Sequence, residues 1–140
     1  MRTMKTIAML LALAPLGAFA HGDEHGNGGA PMAKVTELFT KVAADNPKKE
    51  LEVITVEYAP GTVDPVHRHN AQAIVYVIEG QIVMGVKGQP NKTLNPGDVY
   101  YEGPDDLHTV GRNASATRPA KFVVFFLKDK GAPILTLADK

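Results

Sequence analysis

The chain contains no cysteine and no tryptophan among its 140 residues. Without cysteine it can form no disulfide, offer no thiolate nucleophile, ligate no iron–sulfur cluster and build no zinc finger. Serine is almost as scarce. Ser115 is the only one, and it lies in a polar loop without the glycines that frame a hydrolase nucleophile. An excess of charge of one sign is also missing. Fifteen Lys and Arg balance fifteen Asp and Glu, for a formal net charge of zero, so no basic face stands ready to neutralise phosphates, which argues against a nucleic-acid partner. What is present is 44% hydrophobic residues with 13 Gly and 10 Pro. That composition fits one soluble domain, long enough to bury roughly two-thirds of its surface.

Residues 1–20 have the layout of a secretory signal peptide. Arg2 and Lys5 form a positive start, Ile7 to Ala14 is an apolar run, Pro15 and Gly17 break it, and Ala18-Phe19-Ala20 is a small-x-small cleavage site. The run is too short to span a bilayer, and no cysteine follows to carry a lipid, so no membrane anchor is expected. The expected location is periplasmic or secreted, with a mature chain that begins at His21. Residues 21–33 then read as a flexible leader rich in His and Gly, too polar to bury itself. A terminal His21 offers an amine and an imidazole to one ion and His25 a third nitrogen, a set that suits Cu(II). The same composition also describes a plain solvated leader.

Residues 34–140 read as strands separated by turns. Leu51 to Tyr58 is β-branched and alternating, and it stops at Pro60-Gly61, which suits a tight turn. Ala73 to Glu79 is apolar on both faces and is expected to be covered on both sides; after Gly80, Gln81 to Lys87 is expected to return beside it as a hairpin. Short strands follow around Val99 to Glu102 and Leu107 to Val110, and Phe122 to Lys128 is another buried strand. Val35 to Ala44 fits a helical face as well as an arm strand. Many short strands punctuated by Gly and Pro predict an all-β sandwich or small barrel.

The chemistry concentrates in histidines. His67 and His69 are one residue apart in extended chain, a spacing that points both imidazoles to one side. His108 lies 39 positions after His69, where antiparallel pairing would bring it alongside. Three imidazoles suit a divalent transition metal, Fe, Mn, Ni, Cu or Zn, and leave positions open for water or substrate. On spacing alone, an HXH pair reads more readily as two surface or edge-strand histidines.

The surroundings of these histidines resemble the two motifs of the cupin superfamily. Gly61, five residues, then His67-Arg68-His69 and a run closing at Gly80 resembles the first motif, GX5HXHX3,4EX6G. Gly97, five residues, then Gly103 to His108 and Asn113 resembles the second, GX5PXGX2HX3N, with Pro104 and Asn113 each displaced by one and Asp105 in place of Gly. Only 16 residues separate Gly80 from Gly97, as in small single-domain bacterial cupins. The resemblance implies an all-β jelly-roll barrel of the cupin-like kind with a metal inside. One ligand of the pattern is missing, because the family's Glu would fall at Ala73 or Ile74. Gln72 is the nearest polar side chain and is the candidate substitute, provided a bulge turns it inward. A neutral three-His site would leave the charge of the metal uncompensated and favour an anionic ligand or oxygen activation.

Two functions are consistent with these residues. One is an oxygenase acting on a small organic substrate at a metal held by His67, His69, His108 and Gln72. The other is a module that binds or senses a metal or small ligand without turnover. No residue besides the histidines receives a catalytic role from spacing. Strands apolar on both faces leave an extra surface to cover and point further to a homodimer, formed by sheet packing or arm exchange.

Overall fold

A computed structural model describes residues 30–138. The expected signal segment and most of the leader, with His21 and His25, lie outside the described residues. Ten strands follow in chain order: β1 (Lys34–Val42), β2 (Lys49–Tyr58), β3 (His67–Arg68), β4 (Gln72–Glu79), β5 (Ile82–Val86), β6 (Lys92–Leu94), β7 (Val99–Glu102), β8 (His108–Asn113), β9 (Ala120–Asp129) and β10 (Thr136–Leu137). Among the described residues there is no helix, and the stretch around Val35 that fitted either period is the strand β1. The strands form two antiparallel five-stranded sheets, one ordered β1-β2-β9-β4-β7 and the other β10-β3-β8-β5-β6. This is the all-β jelly roll expected from the turn and strand pattern.

Alternation explains the core. On β2, β4 and β9 every second residue faces inward, so Ile54, Val56 and Tyr58 meet Val75, Val77, Phe122, Val124 and Phe126 between the sheets. Each such side chain contributes roughly 1.5–3 kcal/mol relative to an exposed one. The Tyr58 and Phe122 rings pack in a T-shaped pair at 5.0 Å between centroids. Asn113, the displaced asparagine of the second motif, is buried. Its Nδ2 donates to the carbonyls of Ala59 (3.1 Å) and Arg118 (2.7 Å), and its Oδ1 accepts from the Ser115 backbone. It ties β8 to the loops after β2 and before β9. Ser115 is spent in the same loop, where its Oγ accepts from the Thr117 and Arg118 backbone N–H groups.

Two expectations require correction. β4 and β5 are not a hairpin: β4 pairs with β7 and β9, while β5 pairs with β6 and β8 in the other sheet. Gly80 has φ +70°, and a Cβ there would run into the Pro119 carbonyl, so the chain crosses from one layer to the other at this residue. Nor is β4 covered on both sides. Ala73, Val75 and Val77 are buried, but Ile74, Tyr76 and Ile78 stand exposed on the outer face.

Candidate metal centre

His67 begins β3 and pairs directly with His108, the first residue of β8. His69 follows on the far side of Arg68, so period-two geometry brings its ring back to the same side. The three rings form a near-equilateral group, with centroids 4.8 Å (67 to 69), 5.1 Å (67 to 108) and 5.0 Å (69 to 108) apart. Arg68 turns the other way and donates to the Asp105 carbonyl. Asp106 holds the preceding turn by accepting from the Gly103 N–H at 2.7 Å.

The cluster is not made of histidines alone, because Glu102 completes it. This carboxylate ends β7, is 3% exposed, and sits 3.2 Å from His69 Nε2 and 3.5 Å from His108 Nδ1. Its cross-strand partner is Ala73, one of the two positions at which the motif calls for Glu. The acid is thus supplied from the neighbouring strand at the same level of the sheet. Spacing along one strand could not reveal it. The available signal was the alternation of β7, which puts Tyr100 and Glu102 on one face, combined with a register that only pairing fixes. Gln72 does not enter the group. It faces out on β4, and the one irregularity between β4 and β9 falls at Val77/Glu79, too far away to rotate it inward.

Hydrogen bonds set the protonation of the rings. His67 Nδ1 lies 2.7 Å from the Pro65 carbonyl and His69 Nδ1 lies 2.6 Å from the Ile134 carbonyl. A carbonyl only accepts, so both Nδ1 atoms carry hydrogen, and Nε2 is the lone-pair atom of each ring in its neutral form. His69 Nε2 then faces a carboxylate oxygen, an attractive contact only if a proton or a metal cation mediates it. Burial pulls the His69 pKa down, but the Glu102 hydrogen bond and charge outweigh it, and the net shift is upward. Burial holds the His108 pKa below its usual value, with Glu102 opposing. His108 is 2% exposed and its Nε2 has no hydrogen-bond partner among the described residues. One donor atom each from His69, Glu102 and His108 lies within 4.8 Å of the others, a spacing that a single metal ion could bridge. His67 adjoins this trio, its ring stacked on His108 at 17°.

The cluster borders a cavity of about 70 Å³, room for a few waters or a small molecule. Its remaining wall is mostly apolar, with Val56, Val75, Phe122 and Phe126 from one sheet and Met84 and Val110 from the other. Asp64 is the second carboxylate in the wall. It lies over Gly111, where an added Cβ would come within 2.9 Å of Oδ2, and it accepts a hydrogen bond from the buried Tyr58 hydroxyl. Burial raises the Asp64 pKa, with the Tyr58 hydrogen bond opposing, and burial followed by the charge of Asp64 raises that of Tyr58.

Comparison with known proteins agrees with this geometry. A family model described as a cupin domain matches residues 54–126, just over half of the chain. No curated protein matches the chain. Among solved structures it is similar to a conserved protein with a double-stranded β-helix domain from Klebsiella pneumoniae (TM-score 0.62, 20% identity, 82% of this chain and 89% of that one). It is also similar to the DMSP lyase DddQ from Ruegeria pomeroyi (0.61, 22%, 76% and 51%) and to a recombinant oxalate oxidase in complex with glycolate (0.58, 25%, 75% and 54%). The chain spans about half the length of the lyase and of the oxidase, and the likeness is one of fold. With both motif regions inside the matched segment and the histidines gathered between two sheets, the chain belongs to the cupin family.

Proposed function

We propose that this protein is a periplasmic or secreted cupin that holds a divalent transition metal at His69, Glu102 and His108, with His67 beside them, and acts as an oxygenase on a small organic molecule in the adjoining cavity. The observation that carries the metal reading is the buried Nε2 of His108, which has no hydrogen-bond partner among the described residues, beside a histidine–carboxylate contact that a metal ion or a proton would satisfy. Nitrogen and carboxylate donors together suit Fe, Mn, Ni, Cu or Zn, and the ion would serve as Lewis acid or electron relay toward bound substrate. The single charge of Glu102 would leave such a site a net positive charge of one, still attractive to an anionic group. The protein itself supplies orientation and proton handling. Apolar walls exclude water from around the ligand, and Asp64, backed by the Tyr58 hydroxyl, is placed to take or return a proton in the cavity. The layout of residues 1–20 supports export.

Elemental analysis of protein purified from its native compartment is expected to find one transition metal per chain, and His108→Ala to remove it while the strand spectrum in circular dichroism persists. Unchanged metal content in that variant would overturn the assignment. Oxygen uptake by the iron-loaded protein, measured across diketones, thiols and phenols, tests the reaction. Saturable binding without uptake would favour the second reading, a binding or sensing module, which the small size of the cavity also fits.

A further inference from the structure

After β9 the chain does not leave the barrel. Residues 130–135 pass beside the cavity as a strap outside any strand, and β10 then pairs with β3, Thr136 opposite Arg68 and Leu137 opposite His67. Ile134 and Leu135 line the cavity, and the Ile134 carbonyl is the group 2.6 Å from His69 Nδ1. His69 itself lies between β3 and β4, outside either strand. It is followed by Asn70, whose φ of +50° places it in the left-handed region and whose Nδ2 donates to Thr136 Oγ1 at 3.0 Å. The aim of the His69 ring therefore depends on where the strap is held, not on a ladder of its own.

What holds the strap is a buried lysine. Lys128 stands on the inner face of β9 and is 2% exposed. Its ammonium has three N–H groups and three oxygen partners, Glu50, Glu52 at 3.0 Å and the Ala132 carbonyl at 2.6 Å. Glu50 is buried too, and its Oε1 also accepts from the Gly131 N–H at 3.0 Å. One charge cluster thus fixes two consecutive residues of the strap, just before Ile134. A buried ion cluster is a costly route to stability, because desolvation offsets most of the attraction. Apolar side chains at positions 50, 52 and 128 would fill the same end of the barrel, but they would offer no donor to the Ala132 carbonyl and no acceptor to the Gly131 amide.

We infer that Lys128 is a positioning residue of the candidate metal centre. By pinning the strap at Gly131 and Ala132 it sets the Ile134 carbonyl against His69 Nδ1, and so aims Nε2 of that ring at Glu102, 3.2 Å away. The hydrogen bond from Asn70 to Thr136 holds the strap from its other side, and Pro133, with its fixed φ, limits the freedom of the span between the two ties. Orienting a ring through the hydrogen bond on its other nitrogen is how partners beyond the ligands tune a metal site. The inference rests on the metal reading only for its effect on affinity, since the ring is held in the metal-free protein as well.

Lys128→Met keeps the length of the side chain and removes its charge. In the metal-free protein, NMR is expected to show a His69 Nδ1–H protected from solvent in the wild type and exchanging at least roughly tenfold faster in the variant. Chelator competition is expected to show metal binding about tenfold weaker, the low end of what loss of an outer hydrogen-bond partner costs. Lys49→Met, which breaks the exposed pair with Asp129 one rung away on the same two strands, is expected to leave both readings unchanged. Circular dichroism confirms that each variant is folded. Should Lys128→Met not fold with two carboxylates left unpaired, the triple replacement of Glu50, Glu52 and Lys128 by Met removes the whole cluster and gives the same readings. Unchanged Nδ1–H exchange in a folded variant, an unprotected Nδ1–H in the wild type, or an equal effect of Lys49→Met would overturn the inference. A wild type that takes up no metal would count against the metal reading instead, and the exchange comparison would still decide whether the strap positions the ring.

Discussion

At Glu102 a carboxylate is enclosed between two imidazoles, one of which has its only free nitrogen turned toward it. Replacing it by Gln keeps the shape and removes the charge. Glu102→Gln is expected to weaken metal binding by at least the roughly tenfold to hundredfold that follows loss of an outer hydrogen-bond partner alone, measured by competition with a chelator. In the metal-free protein the same change should lower the His69 pKa, since burial already pulls it down and the hydrogen bond and charge that outweigh burial are gone. NMR titration of the ring checks this, and an unmoved pKa would mean that Glu102 does not face His69 in solution. The histidines were legible in the sequence because their spacing is a property of one strand and one motif. Glu102 was not, because a ligand contributed across a ladder is visible only once Ala73 and Glu102 are known to be opposite one another.

Strands were similarly legible where their own side chains set the period. β2, β7 and β9 lie within a few residues of where alternation put them, and the turn residues between them mark their ends. Pairing was the harder part. Gly80 between two apolar runs reads as a hairpin, yet its left-handed φ directs the chain into the opposite layer, and whether a glycine reverses a strand or transfers it depends on what it packs against. Gly80→Ala is expected to cost more than the roughly 1–2 kcal/mol of placing an L side chain in the left-handed region, because the new Cβ would also displace the Pro119 carbonyl and Ala120. Urea unfolding measures it. Gly88, with φ +83° but open space around it, serves as the control and should show the backbone cost alone.

At the scale of the whole molecule, stability should fall in acid. Lys128 lies on the inner face of β9, 2% exposed, where it pairs with Glu50, reaches Glu52 at 3.0 Å and donates to the Ala132 carbonyl at 2.6 Å. The Lys128 hydrogen bond, with that of the Gly131 N–H, holds the Glu50 pKa below its usual 4.5. A carboxyl with a depressed folded-state pKa stabilises the fold above the unfolded value and loses that contribution as pH drops through the folded one. Thermal melts are therefore expected to decline from pH 4.5 downward, and Glu50→Gln to be less stable at neutral pH with a shallower decline in acid. Equal acid slopes would place the effect elsewhere.

The donors of the candidate site do not belong to one layer. His67 and His108 come from the sheet that ends in β6 and β10, Glu102 from the sheet bounded by β1 and β7, and His69 from the segment between β3 and β4. An ion seated among them would act as a rivet through both layers of the barrel. Chelation should then leave the fold intact but let the two halves breathe, with faster amide exchange along β3, β7 and β8 and little change along β2 and β9.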